Sequence, residues 1–83
     1  MKYMVAELMF TVTKVSYEDG MICMNMSDQK EIRFPVEVNS KLKNATEIQR
    51  KNIELICNGT GLHWPDLDED LSVIGIMEGR FGY

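Results

Sequence analysis

Asp19-Gly20 sits between two stretches whose apolar residues recur at every second position. Upstream, Met4, Ala6, Leu8, Phe10 and Val12 share one parity, and Thr13, Val15 and Tyr17 take the other. Downstream, Ile22, Met24 and Met26 alternate with Cys23 and Asn25. A period of two places alternate side chains on one face of an extended chain. Asp-Gly supplies the positive φ angles that a tight hairpin turn demands. The chain therefore begins its fold with a β-hairpin, and everything after it must cover the hairpin's apolar face. The slip in phase predicts two strands, or one strand bent by a bulge near Val12. Residues 1–9 also suit a helix by composition, but the β-branched run from Thr11 to Val15 favours a strand.

The polar stretch Ser27-Asp28-Gln29-Lys30 marks the next turn. Ile32, Phe34, Val36 and Val38 then alternate with Glu31, Arg33 and Glu37, the pattern of a half-buried strand. Pro35 cannot donate a ladder hydrogen bond, so this strand lies at an edge or ends there. Asn44-Ala45-Thr46-Glu47 resembles a capping box and predicts a helix over residues 45–57, stopped by Asn58-Gly59. At about 100° per residue, Ala45, Ile48, Ile53, Leu55 and Ile56 fall within one arc. Asn52 points into the middle of that arc. It is read either as an amide satisfied by the following loop or as a group facing a ligand pocket.

The expected fold is α+β: an antiparallel β-meander of three to five strands with one main helix packed on one face. Eighty-three residues, 45% hydrophobic and 27% charged, suit one ordinary domain over residues 1–83. A domain this small folds with a thin margin, which is compatible with a monomer or a small homo-oligomer. The net charge of −4 argues against nucleic acid, whose phosphates are bound by Lys and Arg. Lys41, Lys43, Arg50 and Lys51 form the one basic stretch. Cys23 and Cys57 form no C-x-x-C pair and sit in apolar surroundings, so both read as reduced core thiols of a cytoplasmic protein. The apolar stretch from Met4 to Phe10 is interrupted by Glu7, and is too short for a membrane span.

Residues 59–70, Gly-Thr-Gly-Leu-His-Trp-Pro-Asp-Leu-Asp-Glu-Asp, collect the sole His and the sole Trp with four acids. Asp66, Asp68 and Asp70 have the opening spacing of a calcium loop, but Leu71 and Met77 stand where its Gly and Glu belong. His63 has no thiol beside it, which leaves too few ligands for zinc. No serine lies in a nucleophile elbow, and Gly59-Thr60-Gly61 lacks the later Gly and Lys of a phosphate loop. These patterns name no catalytic group, metal or cofactor. They predict an architectural clasp: Leu62 and Trp64 turned to the core, Pro65 fixing the chain, and Asp66, Asp68, Glu69 and Asp70 wet. One of those acids would cap the next element, residues 71–77, which reads as helix or strand.

The chain also resembles a bacterial family, the domain of unknown function 2442 family, over residues 12–79. The resemblance rests on Met26-Ser27-Asp28, Phe34-Pro35-Val36, the run from Leu42 to Thr46, Gln49-Arg50-Lys51-Asn52, and the run from Gly61 to Val73. Gln29 departs from it, since members place Gly after Ser-Asp. The resemblance implies a small α+β domain with a hairpin-rich sheet, and no established activity. It also implies, for some members, an arrangement like a toxin–antitoxin pair. The expected function is a non-catalytic protein-interaction module, an acidic, antitoxin-like partner of a small protein. The alternative is a small-molecule-binding regulatory domain with a pocket built from Asn52, His63 and Trp64.

Overall fold

The computed structural model describes residues 11–82. The alternation of Met4, Ala6, Leu8 and Phe10 lies outside the described residues. Strand β1, Val12–Glu18, pairs antiparallel with β2, Met21–Met26, through a two-residue turn. Asp19 at φ 50° and Gly20 at φ 78° give that turn the twist that two paired strands require. The register shifts between Val12 and Lys14, which is the bulge that the change of phase predicts. Strand β3, Glu31–Pro35, pairs with β2 on its other side and does end at Pro35.

The turn between β2 and β3 carries the departure from the resemblance. Gln29 N–H donates to Met26 O, and Gln29 sits at φ 76°. That is a left-handed position, which a glycine occupies without steric cost. Glutamine there holds the turn at a strain of order 1–3 kcal/mol.

After β3 the chain stops being a strand. Val36–Val38 is a single 3-10 turn, followed by α1, Ser40–Lys43, and α2, Glu47–Lys51. The expected helix over residues 45–57 is therefore corrected: five residues are helical, and the next segment is strand β4, Glu54–Ile56. The capping box is real but sits two residues later, between Thr46 and Gln49 rather than Asn44 and Glu47. Asn52 ends the helix as its C-cap and is exposed. Beyond it, Leu55 takes its place opposite Leu62 in a strand ladder. The apolar arc joined residues of two different elements, which is why Ile48, on its helical half, is 79% exposed.

Strands β4, β5 (Gly61–Trp64) and β6 (Glu69–Ser72) form a second antiparallel sheet. A single meander with one main helix is thus replaced, among the described residues, by two three-stranded sheets and three short α-helices, still α+β. The segment 71–77 is both elements at once: the end of β6, then α3, Val73–Met77, capped by Ser72 and by none of the acids before it. One core joins the sheets, with Ile22, Met24 and Phe34 from the first and Leu62, Trp64 and Leu71 from the second. Trp64 is 0% exposed. An indole burying roughly 150–250 Å² contributes at most about 4–6 kcal/mol at ~25 cal/mol per Å².

The corner between β4 and β5 is left-handed for three residues, Cys57 at φ 53°, Asn58 at φ 56° and Gly59 at φ 84°. It presses against the start of β1, so a Cβ on Gly59 would stand 2.6 Å from the Val12 carbonyl oxygen. The turn puts Cys57 outside. Cys23 is buried as expected, but the expectation of a core thiol at Cys57 is corrected.

Candidate functional site

All of the singled-out residues except Asn52 lie on the hairpin from Gly61 to Ser72. Its β5 strand turns Leu62 and Trp64 inward and His63 outward. The Trp64 indole N–H donates to the Arg50 carbonyl at 3.2 Å, so the ring is pinned to the end of α2. The four residues Pro65, Asp66, Leu67 and Asp68 make the turn, with Leu67 N–H donating to Trp64 O at 3.1 Å. Leu67 tucks back against the core, while Pro65, Asp66 and Asp68 are exposed.

The acids of this hairpin do not act as one group. Asp66 accepts a 3.1 Å bond from the Asn52 amide. Asp68, at φ 50°, offers its backbone oxygen to Lys41 Nζ at 3.0 Å. Asp70 pairs with His63 Nδ1. Glu69 is the exception to the expectation of wet carboxylates. It stands opposite Trp64, on the core-facing side of the sheet, and accepts 2.7 Å from Asn39 Nδ2. Lys41 Nζ lies 4.0 Å from its other oxygen.

The His63 hydrogen bond to Asp70 holds the imidazole pKa above its usual value. Burial opposes this as the next-largest effect, and the charges of Asp70, Glu54 and Asp68, in that order, add smaller upward contributions. Asn52, His63 and Trp64 do not converge on a common cavity. Asn52 faces Asp66 in solvent, His63 lies on the wet face, and the indole is sealed inside. An open depression of about 250 Å³ lies elsewhere, lined by Asp70, Leu71, Ser72, Gly75, Arg80 and Gly82. Among the described residues, no three His, Cys, Asp or Glu side chains gather closely enough to hold a metal ion. Among them too, no helix is long and apolar enough to cross a membrane.

Two residues organise this region: Asn39, which the sequence analysis does not single out, and Arg50, which it places in the basic stretch. Asn39 is buried at 0% exposure. Its Oδ1 accepts from Leu42 N–H at 2.9 Å, and its Nδ2 donates to Glu69 and, at 2.7 Å, to Phe81 O. It thereby caps α1, fixes the hairpin and ties down the chain after α3. The sequence signal was an Asn-Ser step just ahead of a short amphipathic turn, an N-cap pattern.

Arg50 is the second. Its Nε and Nη2 each donate at 2.8 Å, to Leu42 O and Lys43 O, and Nη1 donates to Tyr17 OH at 3.1 Å. The guanidinium lies 5.7 Å from the Tyr17 ring centroid. It adds a donor to the Leu42 carbonyl, which also accepts from Ala45 N–H, and reaches the Lys43 carbonyl at the end of α1. Arg50 and Lys41, half of the basic stretch, are thus spent inside the domain.

A family model described as a protein of unknown function (DUF2442) matches residues 12–82. A crystal structure of a protein of unknown function from Rhodospirillum rubrum is 31% identical, with a TM-score of 0.82 over 88% of this chain and 90% of that one. A solution structure of an uncharacterized protein from Chromobacterium violaceum is 30% identical, with a TM-score of 0.81 over 98% of this chain and 76% of that one. No curated protein matches the chain.

Proposed function

Starting from a chain that belongs to the DUF2442 family of proteins of unknown function, we propose a non-catalytic protein-interaction module whose contact surface is centred on α2. The observation that carries this reading is Ile48. Its side chain is 79% exposed on a helix that buries none of its residues. Helices of small domains are ordinarily held by burying an apolar stripe. This one is held by polar contacts instead: the Thr46–Gln49 capping box, the Arg50 bonds, and Asn52 to Asp66. The fold fixes α2 without using its one branched apolar side chain, which is then available to a partner.

The acidic hairpin has a secondary part in this reading. Asp66, Glu69 and Asp70 already have partners within the domain. The net charge of −4 still favours a basic partner and speeds the encounter. An antitoxin-like pairing with a small basic protein in the cytoplasm belongs to the same proposal.

The test replaces Ile48 in the full chain by a photo-crosslinking residue and co-expresses the product of the adjacent gene. The reading expects a stoichiometric protein adduct from position 48 and none from position 78, on α3's far end. Ile48→Asp should abolish co-purification with the melting temperature unchanged. Co-purification that survives Ile48→Asp, or no adduct from position 48, removes the proposal.

A further inference from the structure

Glu54, His63 and Asp70 form one row across the outward side of the β4-β5-β6 sheet. His63 is on the central strand, with Glu54 in register on one side and Asp70 on the other. The neighbouring row, Leu55, Leu62 and Leu71, has the opposite parity, with Leu62 and Leu71 in the core. Two edge strands thus each present a carboxylate to one central imidazole. Strand spacing puts those two carboxylate-bearing positions roughly 9–10 Å apart, too far to bond directly and close enough for a single cation to serve both.

We infer that His63 is a proton-dependent clamp on this sheet: the imidazolium holds the carboxylates of both edge strands, and the neutral ring leaves them without a counter-charge. The strand most exposed to the loss is β4. It has three residues, lies at the edge, and carries a half-exposed Leu55. The other charged groups about the ring favour the same reading. Asp68 in the turn adds negative charge, Asp66 is occupied by Asn52, and Glu69 points to the other face at Asn39. Arg80 lines the depression that Asp70 borders, but Glu78 engages its guanidinium. The exposed thiol of Cys57 follows directly after β4.

The sign is fixed by the direction of the shift. A histidine whose pKa rises on folding stabilises the fold fully below its unfolded pKa, about 6.5, and the contribution is lost as pH rises through the folded value. The clamp is closed in mildly acidic solution and open in alkaline solution.

NMR on the full chain tests it by two readouts. The first is the His63 ring titration, expected above the ordinary histidine midpoint, lowered most by Asp70→Asn and less by Glu54→Gln. The second is amide-exchange protection in β4 and β5, corrected for intrinsic rates, at pH 5.5 and pH 8. Protection in β4 should fall with pH in the wild type and stay level in His63→Gln, which keeps the fold because the ring lies on the wet face. A midpoint unmoved by Asp70→Asn, or equal pH dependence in His63→Gln, overturns the clamp.

Discussion

Removing the Asn39 amide should cost this domain a large share of its stability. Three partners lose a bond at once in Asn39→Ala: the Leu42 N–H, the Glu69 carboxylate and the Phe81 carbonyl. Loss of an N-cap costs about 0.5–2 kcal/mol. A hydrogen bond to a charged group contributes about 1.5–3 kcal/mol, and a neutral one about 0.5–1.5 kcal/mol. The three share one side chain and are not independent, so about 3–5 kcal/mol is the reasoned total. A domain of this size has about 4–12 kcal/mol in all, at roughly 0.05–0.15 kcal/mol per residue. Asn39→Asp separates the causes. It keeps the capping oxygen but loses both donor bonds and sets a second carboxylate against Glu69. It should be at least as unstable as Asn39→Ala at pH 7, and should recover as acid protonates one carboxyl of the pair. Urea melts followed by circular dichroism give the midpoints and slopes. An Asn39→Asp protein within about 1 kcal/mol of wild type would show that capping α1 is all Asn39 does.

Gln29→Gly should stabilise the domain by about 0.5–1 kcal/mol, because relief of left-handed strain exceeds the entropy glycine adds to the unfolded chain; a melt that moves down instead contradicts the strain at φ 76°. Gly59→Ala should destabilise by about 2–4 kcal/mol, from a left-handed penalty plus the approach of its methyl to Val12 O. A thiol reagent under native conditions should titrate one fast cysteine, and Cys57→Ser should remove it; labelling of Cys23 at a similar rate would contradict its burial at 4% exposure.

The parts of the fold that could be read ahead are those fixed by neighbours in sequence. Asp19-Gly20 needs no distant residue to choose its turn, and the bulge shows itself as a change of parity. Leu62 and Trp64 point inward because alternation and Pro65 leave little else. Residues 45–57 were misread because helix and strand both accept an Ile-rich stretch. The choice falls to Leu62, whose ladder position opposite Leu55 recruits the segment as β4. Cys57 reads as a core thiol from its apolar neighbours in sequence, whereas the left-handed corner turns it out. In the site, the His63–Asp70 pairing depends on strand register, and the Asn52–Asp66 bond on the end of α2 meeting the β5–β6 turn, neither of which periodicity states. Asn39 could have been found as a cap, but its burial depends on Glu69 and on Phe81, 30 and 42 residues away.

The size of the molecule limits what Ile48 alone can do. A specific protein complex covers about 800 Å² on each partner, and this domain exposes 5462 Å². Full burial of one isoleucine contributes about 1.5–3 kcal/mol, far below the roughly 8 kcal/mol of a micromolar complex. A contact of the proposed kind must therefore extend beyond α2. Asn52 joins the end of the helix to Asp66, so the hairpin turn is the continuation that the bonding provides. An interface built that way has an apolar centre at Ile48 and an acidic rim at Asp66 and Asp68. The two parts then differ in kinetics. Ile48→Asp should act chiefly by raising the dissociation rate, whereas Asp66→Lys with Asp68→Lys should lower the association rate, with an effect that fades in high salt. Surface plasmon resonance at two ionic strengths measures both, and a salt-independent loss of association in the rim variant would sink the assignment of that rim.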